Sequence, residues 1–187
     1  MTVKLVIIVV VVILALVALV VVAGVRAPVR HVARVSTSLG TRASEVWPVV
    51  ADLGAWPTWN KRIARMERKP DKDGHPVWSL AWKGEEMPSE ILESTAPTAT
   101  SPGRLVTRIA DPSLPFGGTW TWEIADDNGR TRVVLTEDGH IDNTIFRGMS
   151  ALFFGYTGTQ HGYLGALAER FGEKSPTFDE RVDFPST

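Results

Sequence analysis

Three side chains in this 187-residue sequence are of types that move protons and stand in stretches of regular pattern: Glu137, His140 and His161. Glu137 alternates with Val133 and Leu135, so a strand that turns those two inward turns the carboxylate inward as well. Burial there would raise its pKa and suit it to donating a proton or anchoring a ligand. The competing reading is a solvated carboxylate at a strand end. His140 lies one strand face away, and His161 follows Gln160 in a helical stretch. Spacing gives neither imidazole a partner, and an isolated histidine is more often structural than catalytic. Glu85, Glu86, Glu90 and Glu93 read as a solvated strand edge or a pocket rim.

Residue types exclude other chemistries. With no cysteine and four scattered histidines, disulfides and thiolate nucleophiles drop out, and neither a metal site nor a cofactor is expected. There is no zinc-type His-Glu-x-x-His run, phosphate-cradling loop or dinucleotide fingerprint, and the stretch around Ser150 lacks the closing glycine of a nucleophile elbow. A formal net charge of −1 gives no electrostatic basis for binding nucleic acid. Seven tryptophans against two tyrosines is a skewed aromatic set; such large rigid rings line apolar cavities and also fill cores. Alternation puts Trp120, Trp122 and Ile124 on one strand face and groups Trp78, Leu80 and Trp82.

The element that must position much of this is residues 143–171, read as one long helix. Ile145, Met149, Leu152, Phe153, Tyr156, Tyr163, Leu164, Leu167 and Phe171 recur at helical spacing, Asn143 or Thr144 can cap the start, and Gly172 can close the end. The span is roughly 40 Å. Gly148, Gly155 and Gly162 lie seven apart, with Gly158 and Gly165 repeating the interval, and each interior glycine costs about 1 kcal/mol relative to alanine. Either another backbone or a ligand comes close, framed by Tyr156, Gln160, His161 and Tyr163, or the glycines serve close packing on a twisted sheet or a kink.

Upstream, residues 31–39 alternate as an opening strand. Residues 41–53 read as a helix capped by Thr41 or Ser44, which Pro48 forces to start late or bend. A turn at 51–60 carries Trp56 and Trp59. Strands follow at 63–69, 76–83, 86–94, 104–110, 118–125 and 130–140, with turns at 70–74 and 126–129. About seven antiparallel strands with a long terminal helix make the chain α+β rather than an all-β sandwich.

Residues 5–23 are all Val, Ile, Leu or Ala, long enough to span a bilayer. A retained signal anchor and a signal peptide cleaved near Ala23 or Ala27 compete; the length and the following Arg26, Arg30 and Arg34 favour the anchor. The expected organisation is an anchor at 1–27, a tether at 28–32, one domain at 33–173 and a flexible tail at 174–187. That is a single-pass inner- or plasma-membrane protein, whose flanking charges lean toward a cytoplasmic domain.

The order strand, short helical segment, six antiparallel strands and long helix resembles the helix-grip superfamily of START lipid-transfer domains, the birch-pollen allergen and polyketide cyclase/dehydrase-like proteins. The likeness is carried by Glu45-Val46-Trp47, by residues 52–60 from Asp52 to Asn60, and by residues 118–123 running on to Glu137, and it covers residues 31–171. It implies a sheet curled around the last helix with a cavity between them. On that implication the candidate ligand-binding residues are Trp56, Trp59, Trp78, Trp82, Trp120, Trp122, Met149, Phe153, Tyr156 and Gln160. The expected partner is a hydrophobic small molecule such as a lipid, prenyl quinone or polyketide-like compound, with the membrane itself contacted through residues 5–23. The alternative is a cyclase or dehydratase using Glu137 or a histidine as acid or base. A third reading is a scaffold whose cavity is filled by the tryptophans themselves.

Overall fold

The computed structural model describes residues 3–82 and 84–185. Helix α1 (Val3–Arg26) leads into strand β1 (Arg30–Leu39), then α2 (Ala43–Ala51), a 3₁₀ turn at Leu53–Ala55 and the one-turn helix α3 (Trp56–Trp59). Strands β2 (Arg65–Lys72), β3 (His75–Trp82), β4 (Glu85–Thr95), β5 (Gly103–Ile109), β6 (Phe116–Asp127) and β7 (Arg130–Ile141) follow. Then come α4 (Thr144–Met149), a π-helical turn at Ser150–Phe154, α5 (Gly158–Arg170) and β8 (Asp179–Asp183). The result is one antiparallel sheet in the order β2-β3-β4-β5-β6-β7-β1-β8, curved around the later helices. The register slips between Ile91 and Glu93, an irregularity of the kind that bends a strand. Asp73-Gly74 and Asn128-Gly129 both take positive φ, which two-residue hairpin turns require.

The odd-numbered residues of β1 and β7 form the inner face. Val35, Leu39, Val133 and Leu135 are fully buried there, beside Trp122 and Ile124 from β6. Val46 and Val50 of α2 and Leu164, Leu167 and Ala168 of α5 close the core from above, also fully buried. Each such aliphatic burial is worth about 1.5–3 kcal/mol. The start of α2 is satisfied from across the sheet: the Ala43 N–H donates to Asp126 Oδ1 at 2.9 Å, and neither Thr41 nor Ser44 occupies the cap position, which falls to Arg42. The helix starts two residues later than its pattern allows and accommodates Pro48 within nine residues.

Three expectations are corrected. Residues 143–171 are not one helix: the chain breaks at Gly155, whose φ of +67° no ordinary helix continues, so α5 is 13 residues and about 20 Å long. Ile145, Met149, Leu152 and Phe153 therefore belong to a separate segment and leave the core. The sheet has eight strands, because residues expected as a free tail form β8 against β1. That strand is held where Thr37 Oγ1 donates to the Thr177 carbonyl at 2.9 Å and where Phe178 packs on the His161 ring. Finally Glu90, read with Glu85, Glu86 and Glu93 as a solvated strand edge or a pocket rim, is buried rather than solvated, and its Oε1 accepts from Arg108 Nε at 3.0 Å. The expected strand end at Lys83 lies outside the described residues.

Helix α1 is long and apolar enough to cross a membrane. Residues 3–19 are exposed all round, whereas Val20, Ala23, Gly24 and Ala27 are shielded. Those four share one helical face, covered by α4.

Candidate functional site

Between α5 and the inner face of β3–β6 lies an apolar cleft. Its floor is Trp78 and Leu80 of β3, Met87 and Ser89 of β4, Thr107 of β5, and Trp120 and Trp122 of β6. Leu53, Trp56 and Met66 form one wall; Tyr163 and Thr159 of α5 form the other. Strand alternation brings these side chains together: the register sets Trp120 opposite Thr107, and Trp78 opposite Ser89. The aromatic rings interlock edge to face. Trp56 meets Trp122 with ring centroids 6.0 Å apart, Tyr163 meets Trp122 at 5.9 Å, and Trp56 Nε1–H donates to the Val50 carbonyl at 2.9 Å. Burial pushes the Tyr163 phenol well above its usual range, so the hydroxyl stays protonated in the cleft. Among the described residues, the lining holds no carboxylate, imidazole, ammonium or guanidinium.

The interlocked rings take up most of the interior. About 60 Å³ is left to the centres of water-sized spheres, room for a handful of waters. Small-molecule pockets usually enclose about 300–1,000 Å³. The expectation of an open hollow beneath the helix is met only by this narrow cleft. A wider hollow of about 530 Å³ lies on the outer sheet face under the β5–β6 loop, but Arg30, Lys72, Glu90, Asp138 and His140 line it, which suits water rather than an apolar molecule.

The structure divides the residues singled out by sequence. Trp56, Trp78, Trp120 and Trp122 line the cleft. Trp59 is buried beside it with its ring 6.0 Å from Trp56, and Trp82 stands half exposed at the end of β3; neither contributes to the lining. Met149 and Phe153 are carried away by the break at Gly155, and Phe153 is 61% exposed. Tyr156 instead packs tilted against His31 and edge to face on Phe184. Gln160 is fully buried and donates from Nε2 to Glu137 Oε2 at 3.1 Å.

Glu137 does point inward, with its side chain about one-fifth exposed and its Oε1 3.6 Å from His31 Nε2. His31, on the same inner face, is the member of this group that sequence reasoning passed over, although its odd-numbered register with Val35 and Leu39 marks it. Among the described residues, His31 Nδ1 and Gln160 Oε1 are buried without a hydrogen-bond partner. His140 and His161 lie outside: His140 is 3.6 Å from Asp142, and His161 Nε2 is 2.8 Å from Glu180 Oε2, a bond that holds the Glu180 carboxyl below its usual range.

Comparison with known proteins places this architecture. Residues 30–171 match the family model described as polyketide cyclase / dehydrase and lipid transport. The chain belongs to that family. No curated protein matches the chain significantly. Among solved structures, a protein of Thermobifida fusca solved by NMR is 24% identical, with a TM-score of 0.57 over 75% of this chain and 93% of its own. The Zhui aromatase/cyclase from Streptomyces sp. R1128 is 18% identical, with a TM-score of 0.60 over 78% and 94%. A START superfamily protein from Mycobacterium smegmatis is 15% identical, with a TM-score of 0.54 over 78% and 99%. At these identities the likeness is one of fold, the helix grip. The family match takes in both the cleft and the Glu137 cluster and leaves α1 outside it.

Proposed function

We propose that this chain binds an apolar small molecule, of the lipid, prenyl quinone or polyketide-like class, in the aromatic cleft while α1 holds the domain at a membrane. The supporting observation is the cleft lining: four tryptophans, a protonated tyrosine and apolar side chains, without an ionised group. Such a surface rewards burial of apolar area and offers only Ser89, Thr107, Thr159 and the Tyr163 hydroxyl for orientation. The narrowness of the cleft implies that a ligand widens it. Met66 and Met87 have flexible thioether chains suited to yielding, and α3 is a single turn. The test is native mass spectrometry of the full chain released from nanodiscs, scored for a co-purifying apolar mass that the Thr159→Phe variant, with its rim blocked, lacks. Absence of any such mass in the wild type, including after incubation with ubiquinone or oleate, contradicts the reading.

The cyclase or dehydratase alternative has one observation in its favour. Glu137, His31 and Gln160 form a buried, inward-facing polar group with unpartnered atoms, the kind of group acid–base chemistry uses. In that reading Glu137 and His31, rather than His140 or His161, exchange the proton. Turnover of a poly-β-ketone substrate that survives Glu137→Gln unchanged excludes it.

A further inference from the structure

Outside α1, five of the exposed large apolar side chains among the described residues fall in the segment from Thr144 to Phe154. Ile145, Phe146, Leu152, Phe153 and Phe154 are between 41% and 66% exposed, whereas the lone charged residue among them, Arg147, is buried. Topology explains where this segment lies. The start of β1 pairs with the end of β7, Arg30 opposite His140, so the chain leaving β7 for α4 meets the chain arriving from α1.

The two helices touch backbone to backbone. A Cβ on Gly24 would stand 1.9 Å from the Thr144 carbonyl oxygen, and one on Gly148 would stand 2.0 Å from that of Val20. Helices approach this closely only where small residues face each other, the packing mode favoured between helices in lipid. Arg147 completes the joint. Its Nε donates to the Gly24 carbonyl at 2.7 Å, and its Nη1 donates to the carbonyls of Ile141 and Asp142 at 2.8 and 3.0 Å. Gly24 lies in the last turn of α1, where carbonyls have no helical partner, so the guanidinium satisfies a group that hydrocarbon would leave bare. The segment's own amides are met as well. Asn143 Oδ1 accepts from Ile145 and Phe146, and the Gly155 N–H donates to the Ser150 carbonyl.

From these contacts, and resting on the reading of α1 as a membrane anchor, we infer that residues 144–154 are a second membrane element, sunk into the hydrocarbon beside the last turns of α1. Depth follows from the packing. Val20 precedes Arg26 by six residues, about 9 Å of helix rise. A segment whose Gly148 touches Val20 therefore shares that level, within the roughly 5–10 Å to which interfacial helices sink. The occupant of the exposed Phe-rich face is lipid, because that face continues the apolar surface of α1. The cleft rim is placed accordingly: Thr159 follows Phe154 by five residues, at most about 18 Å of chain, so the mouth opens next to the bilayer surface. Cleavage near Ala23 or Ala27 would remove Val20 and uncover Gly148, and at Ala27 it would also leave Arg147 without the Gly24 carbonyl; on this reading α1 stays with the domain.

The chain lacks cysteine, so single nitroxide labels report depth cleanly. Val12→Cys, Phe153→Cys and Asn128→Cys, each labelled in the full chain in phosphatidylcholine/phosphatidylglycerol vesicles, are compared by collision with oxygen and with a water-soluble nickel chelate. Asn128 lies in the β6–β7 turn, a strand length of about 40 Å from the end of β7 that leads into α4. The expected oxygen-to-nickel ratio at Phe153 is on the order of tenfold above that at Asn128 and close to that at Val12. Val12 in lipid with Phe153 in water overturns the inference and leaves the anchor standing. Val12 in water overturns the anchor reading and the inference with it. Phe153 shielded from both reagents with spin–spin broadening means that a second copy covers the face, which also overturns it. Because Phe153 is exposed, its label leaves the fold intact, and Phe154→Cys repeats the measurement one residue on.

Discussion

Trp56 and Tyr163 meet edge to face across the cleft, ring centroids 5.4 Å apart and planes at 68°, one carried by α3 and the other by α5. The pair joins the two walls that must separate if a molecule enters between them. It also belongs to the core, since both rings contact Trp122. On the proposed reading, stability and binding draw on the same rings in different proportion.

That proportion is testable by truncation. Trp56 is buried and bonded to Val50, so Trp56→Ala is expected to cost about 3–5 kcal/mol, the range for large core truncations. Trp120 lines the cleft but is only half-buried, so Trp120→Ala is expected to cost less than half as much and to weaken ligand binding more than it weakens the fold. Thermal unfolding of both variants, followed by intrinsic fluorescence beside a binding titration, checks the split. Equal losses of stability would show that the rings serve only as core.

The Glu137 cluster gives a second contrast. Glu137→Ala leaves Gln160 Nε2 without its acceptor in a buried site and is expected to destabilise by about 1–3 kcal/mol. Glu137→Gln keeps an acceptor oxygen and is expected to stay within about 1 kcal/mol of wild type. Denaturant unfolding of the two variants decides it; identical losses would mean that the carboxylate charge, rather than the hydrogen bond, matters.

Acid stability follows from Glu90. The hydrogen bond from Arg108 holds its carboxyl below the usual range, so the folded chain prefers the anion. The contribution is complete above the ordinary glutamate value, about pH 4.3, and is lost as pH falls through the lowered folded value. The melting temperature is expected to hold between pH 7 and 5 from this pair and to fall below about pH 4.3, with a shallower acid fall in Glu90→Gln. An acid limb unchanged in Glu90→Gln assigns the loss elsewhere.

The glycines at seven-residue spacing separate by environment. Gly165 faces open space in α5, so Gly165→Ala is expected to stabilise by up to about 1 kcal/mol. Gly155 holds a positive φ, so Gly155→Ala is expected to destabilise by about 1–2 kcal/mol. Gly148→Ala drives a methyl into the Val20 carbonyl and is expected to loosen α1, read as severalfold faster tryptic cleavage after Arg26 or Arg30 in vesicles. Three changes of one sign would refute this division.

The sheet was legible because its signals are local: alternation in residues 118–125 and 130–140, and the Asn128-Gly129 turn between them. The cleft-lining tryptophans on β3 and β6 were legible for the same reason. The last helix reads as continuous because apolar periodicity runs on through Gly155, and periodicity does not tell a core-facing stripe from an exposed one. Ile145, Phe146, Leu152 and Phe153 stand exposed outside the core, so their recurrence does not mark a buried stripe. Likewise β8 has little apolar content to announce it; its place depends on the free edge of β1. The joining of Glu137 to Gln160 and His31 depends on how α5 crosses the sheet, a relation that spacing within one element does not contain.

The binding claim is tested most directly by quenching. All seven tryptophans lie between Trp47 and Trp122, so the chain's tryptophan emission arises from the domain and none of it from α1. A doxyl-labelled stearate titrated into the full chain in nanodiscs is predicted to quench that emission saturably, near one equivalent, with the effect reduced severalfold in Thr159→Phe. Quenching that rises linearly with the lipid fraction, and equally in both proteins, would contradict the account.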